Sequence, residues 1–185
     1  MLKIAVTGHP YSGKSTLLKA LGKKFPVIYM DGIVAGIYAQ NKVKKLLLER
    51  LGKSSKKGVL GIIGKKPGKL EALESVLHPF AKKGLLERFE ALERKGAKIV
   101  AVEVPLLFEA GWQGMFDCSI AVIANKKDLE KRGKERKKKV HKAMLDRRLK
   151  QAEIVKKSDF SINTSKGKAN AIKEMKLILE TILNA

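Results

Sequence analysis

Two hydrophobic periods alternate along this chain. Short apolar runs rich in β-branched residues occur at Leu2–Thr7, Phe25–Met30, Lys98–Val104, Cys118–Ile123 and Phe160–Ile162. Their apolar character is nearly continuous, as in strands covered on both faces. Between them the apolar positions recur every three to four residues. Thr16–Leu21 is the first such stretch, closed by Gly22. From Ile33 to Leu51 the pattern predicts one helix, with Val43, Leu46, Leu47 and Leu51 on one face and Lys42, Lys44 and Lys45 elsewhere. Gly52–Gly68 carries six residues of Gly or Pro around Val59–Ile63 and predicts a loop, a short helix and a second loop. Leu70–Leu77 is helical again. His78-Pro79 predicts a break, because the residue before proline avoids the α region. Pro79 then opens a helix that runs to about Lys95, and Gly96 ends it. Lys126–Lys157 predicts an interrupted helix, and Ala169–Leu183 a terminal amphipathic one. Strands alternating with helices predict an α/β fold: a three-layer α/β/α arrangement around a five-stranded parallel sheet.

The first strand-to-helix junction carries Gly8-His9-Pro10-Tyr11-Ser12-Gly13-Lys14-Ser15, a G-x-x-x-x-G-K-S sequence. A glycine-bounded loop between a strand and a helix is the context in which this pattern binds a polyphosphate. Gly8 and Gly13 remove side chains where backbone N–H groups wrap the anion. The helix N-terminus adds partial positive charge. Lys14 is expected to reach the β- and γ-phosphates, and the Ser15 hydroxyl to ligate Mg²⁺. Gly8, Tyr11, Ser12, Gly13, Lys14, Ser15 and Thr16 form the expected set contacting a nucleotide and its Mg²⁺. Ligands of doubly wound sheets bind beyond the carboxyl ends of the strands, where this loop, Asp31 and Pro105–Glu109 all fall.

Composition narrows the picture. The 185 residues are 44% hydrophobic and suit one globular domain rather than a disordered chain. No apolar run is long enough to cross a bilayer, and a core strand at the start predicts no leader segment. A lone cysteine, Cys118, excludes an internal disulfide and a multi-cysteine zinc site, so a cytoplasmic location is expected. The net charge of +22 permits three readings: nucleic-acid binding, polyanionic substrates, or a lysine-rich proteome. Aromatics are 5% of residues and form no stacking platform, so no specific nucleic-acid partner is expected.

Several residues can carry chemistry. Asp31 ends the second strand and can accept the proton of an attacking hydroxyl, or cap the helix that begins near Ile33. Glu103 lies in the strand that would hold a Walker-B carboxylate, or is a strand-end charge. Glu109 can bind substrate or cap a short helix after Pro105. His78 can bind substrate or cap the broken helix. Arg132, Arg136, Arg147 and Arg148 are four of the chain's seven arginines and sit in the interrupted helix. A mobile element that brings arginines to a transferring phosphoryl group fits them; a solvated basic face is the alternative for most of the lysines. Asn125-Lys126-Lys127-Asp128 matches the N-K-x-D guanine reader of GTPases, but no D-x-x-G switch follows the third strand.

The order of these features resembles the dephospho-CoA kinase family. The phosphate loop opens the chain, and Val27–Asp31 follows as a strand ending in an aspartate. Leu73-Glu74-Ser75-Val76-Leu77-His78-Pro79 matches an L-E-x-x-x-H-P segment. Val104-Pro105-Leu106-Leu107-Phe108-Glu109 matches V-P-L-L-F-E, and Asp117–Val122 matches D-x-x-I-x-V. Arg147-Arg148-Leu149-Lys150-Gln151 resembles the return of the family's lid. The resemblance implies a phosphotransferase of the P-loop kinase type that moves the γ-phosphate of ATP to the ribose 3′-hydroxyl of dephospho-CoA. It implies Asp31 as general base, Lys14 and Ser15 on the phosphates, and Arg147 or Arg148 over the transferring group. His78, Leu106, Leu107, Phe108 and Glu109 would line the acceptor site, and Asn163 would contact the adenine end. A monomer is expected, with a core of about 1–31, 96–125 and 158–185, a helical substrate-binding region of about 32–95, and a lid of about 126–157. Another small-molecule or nucleotide kinase of the same fold is the alternative, with a GTPase behind it. The chain departs from the family at Tyr29, Gly36 and Lys57, in a shortened 52–68 segment, and at His9–Tyr11, where small residues are usual.

Overall fold

The computed structural model describes residues 1–22, 25–63, 68–136, 145–146 and 148–184. Its strands are β1 (Leu2–Thr7), β2 (Val27–Tyr29), β3 (Ile99–Glu103), β4 (Cys118–Ile123) and β5 (Phe160–Asn163). Its helices are α1 (Lys14–Leu21), α2 (Met30–Ile37), α3 (Asn41–Leu51), α4 (Lys56–Leu60), α5 (Lys69–Arg94), α6 (Lys126–Glu135), α7 (Gln151–Lys157) and α8 (Lys168–Asn184). The chain divides into two compact units. One holds Met1–Ile28 and the described residues of 97–139 and 148–185; the other holds the described residues of 29–96 and 140–147.

The first unit is built on the expected five-stranded, all-parallel sheet, in the order β2-β3-β1-β4-β5. β1 lies between β3 and β4, with Val6 opposite both Glu103 and Ile120. Its inner residues Ile4, Ala5 and Val6, and Val100, Val102, Ile120 and Val122 beside them, are buried, which is why these runs lack polar alternation. Polar side chains tie the strand starts. Asp117 Oδ2 accepts from the Lys3 N–H at 2.7 Å, and Asp159 Oδ2 accepts from the Ser119 N–H and Oγ, both at 2.7 Å. α8 packs on α1 and β5 through Ala171, Met175 and Leu179. α7 lies in the stretch expected to be lid, yet it packs on β4 with Ile154 buried. The Gln151 amide holds it there, donating to Ala124 O and accepting from Ala124 N, each at 3.0 Å.

The second unit is helical, and two expectations change. The predicted Ile33–Leu51 helix is two helices, because the chain turns at Tyr38–Gln40 between α2 and α3. The predicted break at His78-Pro79 is absent. α5 continues through Pro79, although proline withholds an N–H from the Ser75 carbonyl one turn earlier. Leu73, Val76 and Leu77 before it and Ala81, Leu85 and Phe89 after it are buried on α5, and that packing outweighs a cost of about 3 kcal/mol. With no break, His78 has no helix end to cap. The Gly-rich 52–68 segment contains α4 as expected, with Ser55 Oγ accepting from the Gly58 N–H at its start.

Candidate active site around the phosphate loop

The loop between β1 and α1 has the backbone of an anion cradle. Gly8 has φ +135°, and a Cβ there would collide with the Val122 carbonyl of β4, so only glycine fits. Gly13 caps α1 in the left-handed region at φ 100°. Tyr11 also takes a left-handed φ, 67°, and is the one described non-glycine residue to do so. That costs about 1–2 kcal/mol and marks a conformation held by its surroundings. Ser12 is fully buried, and its hydroxyl finds no hydrogen-bond partner among the described residues. Lys14 is only 5% exposed, and its ammonium donates to Gly8 O at 2.9 Å and His9 O at 2.8 Å. The cation therefore sits over the first half of the loop.

One helical position further, the Ser15 hydroxyl donates to Glu103 Oε1 at 3.0 Å. Glu103 is the last residue of β3, half-buried beside β1. A hydroxyl and a carboxylate at this spacing form a hard-oxygen pair suited to Mg²⁺. No group of three or more His, Cys, Asp or Glu that could hold a metal exists among the described residues. A cation here would draw its remaining ligands from phosphate and water, as Mg²⁺ commonly does.

On the other side of the loop, Arg132 of α6 binds main chain and hydroxyl together. Its Nη1 donates to Thr164 Oγ1 at 2.9 Å and Tyr11 O at 3.3 Å, and its Nη2 to Thr164 O at 3.2 Å. Thr164 is 6% exposed, and its hydroxyl donates to Ser12 O at 2.7 Å. The Tyr11 ring lies against Gly133, 3.1 Å from where a Cβ would stand. A cleft of about 280 Å³ opens beside these residues, lined among others by Tyr11, Thr16, Leu17, Arg132, Arg136 and Lys168. Asn163 ends β5 next to Thr164, and its Oδ1 accepts from the Ser165 N–H to cap the turn there.

A third group joins the loop to the segment after β3. Arg148 Nη1 donates to Pro105 O at 2.8 Å and lies 3.4 Å from Gly8 O. Glu109 Oε1 accepts from the Leu149 N–H at 3.1 Å, and His9 Nε2 stands 2.8 Å from Leu149 O. Residues 105–111 are turns rather than the expected short helix, so Glu109 caps nothing and holds the backbone after Arg148. Leu107 is fully buried in the core and offers no wall to an acceptor, whereas Leu106 and Phe108 are half-buried.

In the second unit, Asp31 is the second residue of α2 and exposed; Tyr29 holds the N-cap position, so the helix-cap reading of Asp31 is corrected. Its carboxylate lies in the first turn, where the helix dipole favours negative charge. His78 is half-buried in the middle of α5. Arg147 lies outside the described residues.

The dephospho-CoA kinase family model matches residues 2–169. The chain belongs to the dephospho-CoA kinase family. A curated relative, the dephospho-CoA kinase of Thermus thermophilus, is 34% identical over 128 residues, 65% of this chain, and the chain spans 61% of that relative's length. The dephospho-CoA kinase of Fusobacterium nucleatum is 29% identical over 191 residues, 97% of each chain. The crystal structure of TT1252 from Thermus thermophilus superposes with TM-score 0.79 at 27% identity, covering 97% of both chains. The dephospho-CoA kinase from Campylobacter jejuni follows at TM-score 0.70 and 25% identity, covering 97% of this chain and 96% of its own. A shikimate kinase from Bacteroides thetaiotaomicron, at 16% identity and TM-score 0.56, shares the fold.

The N-K-x-D match of the sequence has a local explanation: Asn125 Oδ1 accepts from the Asp128 N–H at 2.8 Å and caps α6. Two parts of the site escaped sequence reading. Thr164 sits in no motif, and only its place after the last strand hinted at the loop. His9 was a bulky departure without a role, because its partner is a main-chain oxygen 140 residues away.

Proposed function

We propose that this chain transfers the γ-phosphoryl group of ATP to the ribose 3′-hydroxyl of dephospho-CoA, giving CoA and ADP. The observation that carries the reading is the Ser15–Glu103 pair at the mouth of a glycine-bounded phosphate loop, in a chain of this family. Lys14 exchanges its Gly8 and His9 carbonyl partners for the β- and γ-phosphate oxygens. The loop's backbone N–H groups hold the phosphates, and the 280 Å³ cleft beside Thr16 takes the nucleoside. Ser15 would hold Mg²⁺, with Glu103 beside it directly or through water, and the ion would supply charge neutralisation to the phosphates.

Arg148 supplies a guanidinium against Gly8, where charge develops as the phosphoryl group moves. Arg147, its neighbour in sequence, is assigned the same part by the family's lid pattern. Asp31 accepts the proton of the 3′-hydroxyl as its oxygen bonds to phosphorus and the bond to the ADP oxygen breaks. His78, Leu106, Phe108 and Glu109 are assigned to the acceptor, and Asn163 to the adenine end. No helix among the described residues is long and apolar enough to cross a membrane. A monomeric cytoplasmic enzyme without a specific nucleic-acid partner completes the reading.

The test is a coupled ADP-release assay with Mg²⁺·ATP across dephospho-CoA, nucleosides, mononucleotides and shikimate. Turnover with dephospho-CoA at least 100-fold above the other acceptors is expected. A different preferred acceptor replaces this reading with another kinase of the same fold.

A further inference from the structure

We infer that His9 is a positioning residue for Arg148, and that together with Glu109 it sets where that arginine meets the phosphate loop. The inference rests on the reading of Arg148 as a phosphate-facing cation. His9 follows Gly8 in the middle of the loop and is half-buried. Its Nε2 stands 2.8 Å from the Leu149 carbonyl oxygen. A carbonyl oxygen only accepts, so Nε2 carries the proton and donates.

Leu149 is thereby gripped on both sides of its Cα. Its carbonyl accepts from His9, and its N–H donates to Glu109 Oε1 at 3.1 Å. Two anchors on adjacent peptide groups fix the backbone that immediately follows Arg148. The guanidinium then reaches Pro105 O at 2.8 Å from a main chain already placed. A long arginine side chain has many rotamers to lose, and a fixed root leaves fewer to be lost when the group is used. The geometry is also a lever. Gly8 O receives Lys14 Nζ at 2.9 Å and lies 3.4 Å from Arg148 Nη1, while the next residue, His9, pins the root of Arg148. Any shift of the loop at Gly8-His9 on phosphate binding moves the arginine with it.

The test is a mutant cycle in the full-length protein: His9→Ala, His9→Gln, Arg148→Ala, and His9→Ala with Arg148→Ala. Two readouts are taken, kcat and KM with Mg²⁺·ATP and dephospho-CoA, and the affinity of a non-hydrolysable ATP analogue by calorimetry. His9→Ala should lower kcat or analogue affinity roughly ten- to hundredfold, the scale of misplacing a catalytic group. Glutamine keeps an N–H donor of similar reach, so His9→Gln should return to within about threefold of wild type. In the Arg148→Ala background, His9→Ala should add less than about twofold, because its effect passes through that arginine. Independent, multiplying effects, or a His9→Gln variant as impaired as His9→Ala, overturn the inference. The calorimetric arm needs no acceptor. A wild type that binds the analogue but leaves dephospho-CoA untouched refutes the substrate reading while the coupling of His9 to Arg148 is still measured.

Discussion

Replacing Thr164 by valine removes a hydroxyl and leaves the side-chain shape. The single Oγ1 proton goes to Ser12 O at 2.7 Å rather than Ile123 O at 3.2 Å, and the same oxygen accepts from Arg132 at 2.9 Å. The substitution therefore strands one loop carbonyl, worth about 1 kcal/mol, and removes one charge-assisted bond, worth about 1.5 kcal/mol at the low end. The low end applies because Arg132 keeps Thr164 O and Tyr11 O. No cavity opens, since valine fills the same volume. The sum is about 2–3 kcal/mol, which for a domain of this size lowers Tm by roughly 5–10 °C. Ser12 also borders the phosphate cradle, so affinity for an ATP analogue should fall roughly tenfold, or about 1.4 kcal/mol. Thr164→Ser keeps the hydroxyl and loses one methyl, a cost of about 1 kcal/mol. Differential scanning calorimetry and analogue titration on both variants decide the matter. A Thr164→Val shift below about 2 °C, or a Thr164→Ser protein that falls as far, would refute the view that this hydroxyl ties the loop to Arg132.

Other outcomes follow from the same geometry. Asp31→Asn should leave ATP-analogue binding within about twofold and reduce kcat roughly 10²–10⁴-fold; retained turnover removes Asp31 from catalysis. Glu103→Gln should raise the Mg²⁺ concentration for half-maximal activity roughly 10–100-fold, and an unchanged Mg²⁺ titration would make the Ser15 contact merely structural. The Ser119 hydroxyl bonded to Asp159 holds that carboxyl below its ordinary value, with the Ser119 N–H adding to the effect. Its stabilisation is thus complete above the ordinary value of 3.8 and is lost as pH falls through the folded-state value. Asp159→Asn should therefore cost stability at pH 7 and flatten the acid limb of the Tm–pH curve below about pH 4, whereas an unchanged limb denies the linkage. Burial, with Asp159 nearby, pushes the Cys118 thiol up to about 11. It should resist a thiol reagent at pH 8 in the native protein and react at once in denaturant; rapid native labelling would contradict its burial.

The parts of this molecule legible in its sequence are those in which a side chain's own type does the signalling. Continuous apolar runs reported β1, β3 and β4 because both faces of a parallel sheet are covered. The glycine and lysine of the phosphate loop were legible because the cradle excludes a Cβ at Gly8 and needs a cation at position 14. Where tertiary packing overrode a local rule, the reading failed. Pro79 breaks helices in isolation, but seven buried residues along α5 hold it in one. Leu107 read as an acceptor wall because it sits in a family motif, and the motif conceals that a residue fully removed from solvent serves the core.

The tethers around the loop were illegible for a further reason. Lys14 donates to Gly8 O and His9 O, Arg132 to Tyr11 O and Thr164 O, Arg148 to Pro105 O, His9 to Leu149 O, and the Leu149 N–H to Glu109. One partner in every pair is a main-chain group, which any residue carries and no residue type announces. Such contacts constrain one partner's identity and only the other's position. The loop can therefore carry histidine at position 9 without a matching residue type at the far end. It needs only backbone carbonyls already in place, and the loop acquires supports that a comparison of residue types alone does not reveal.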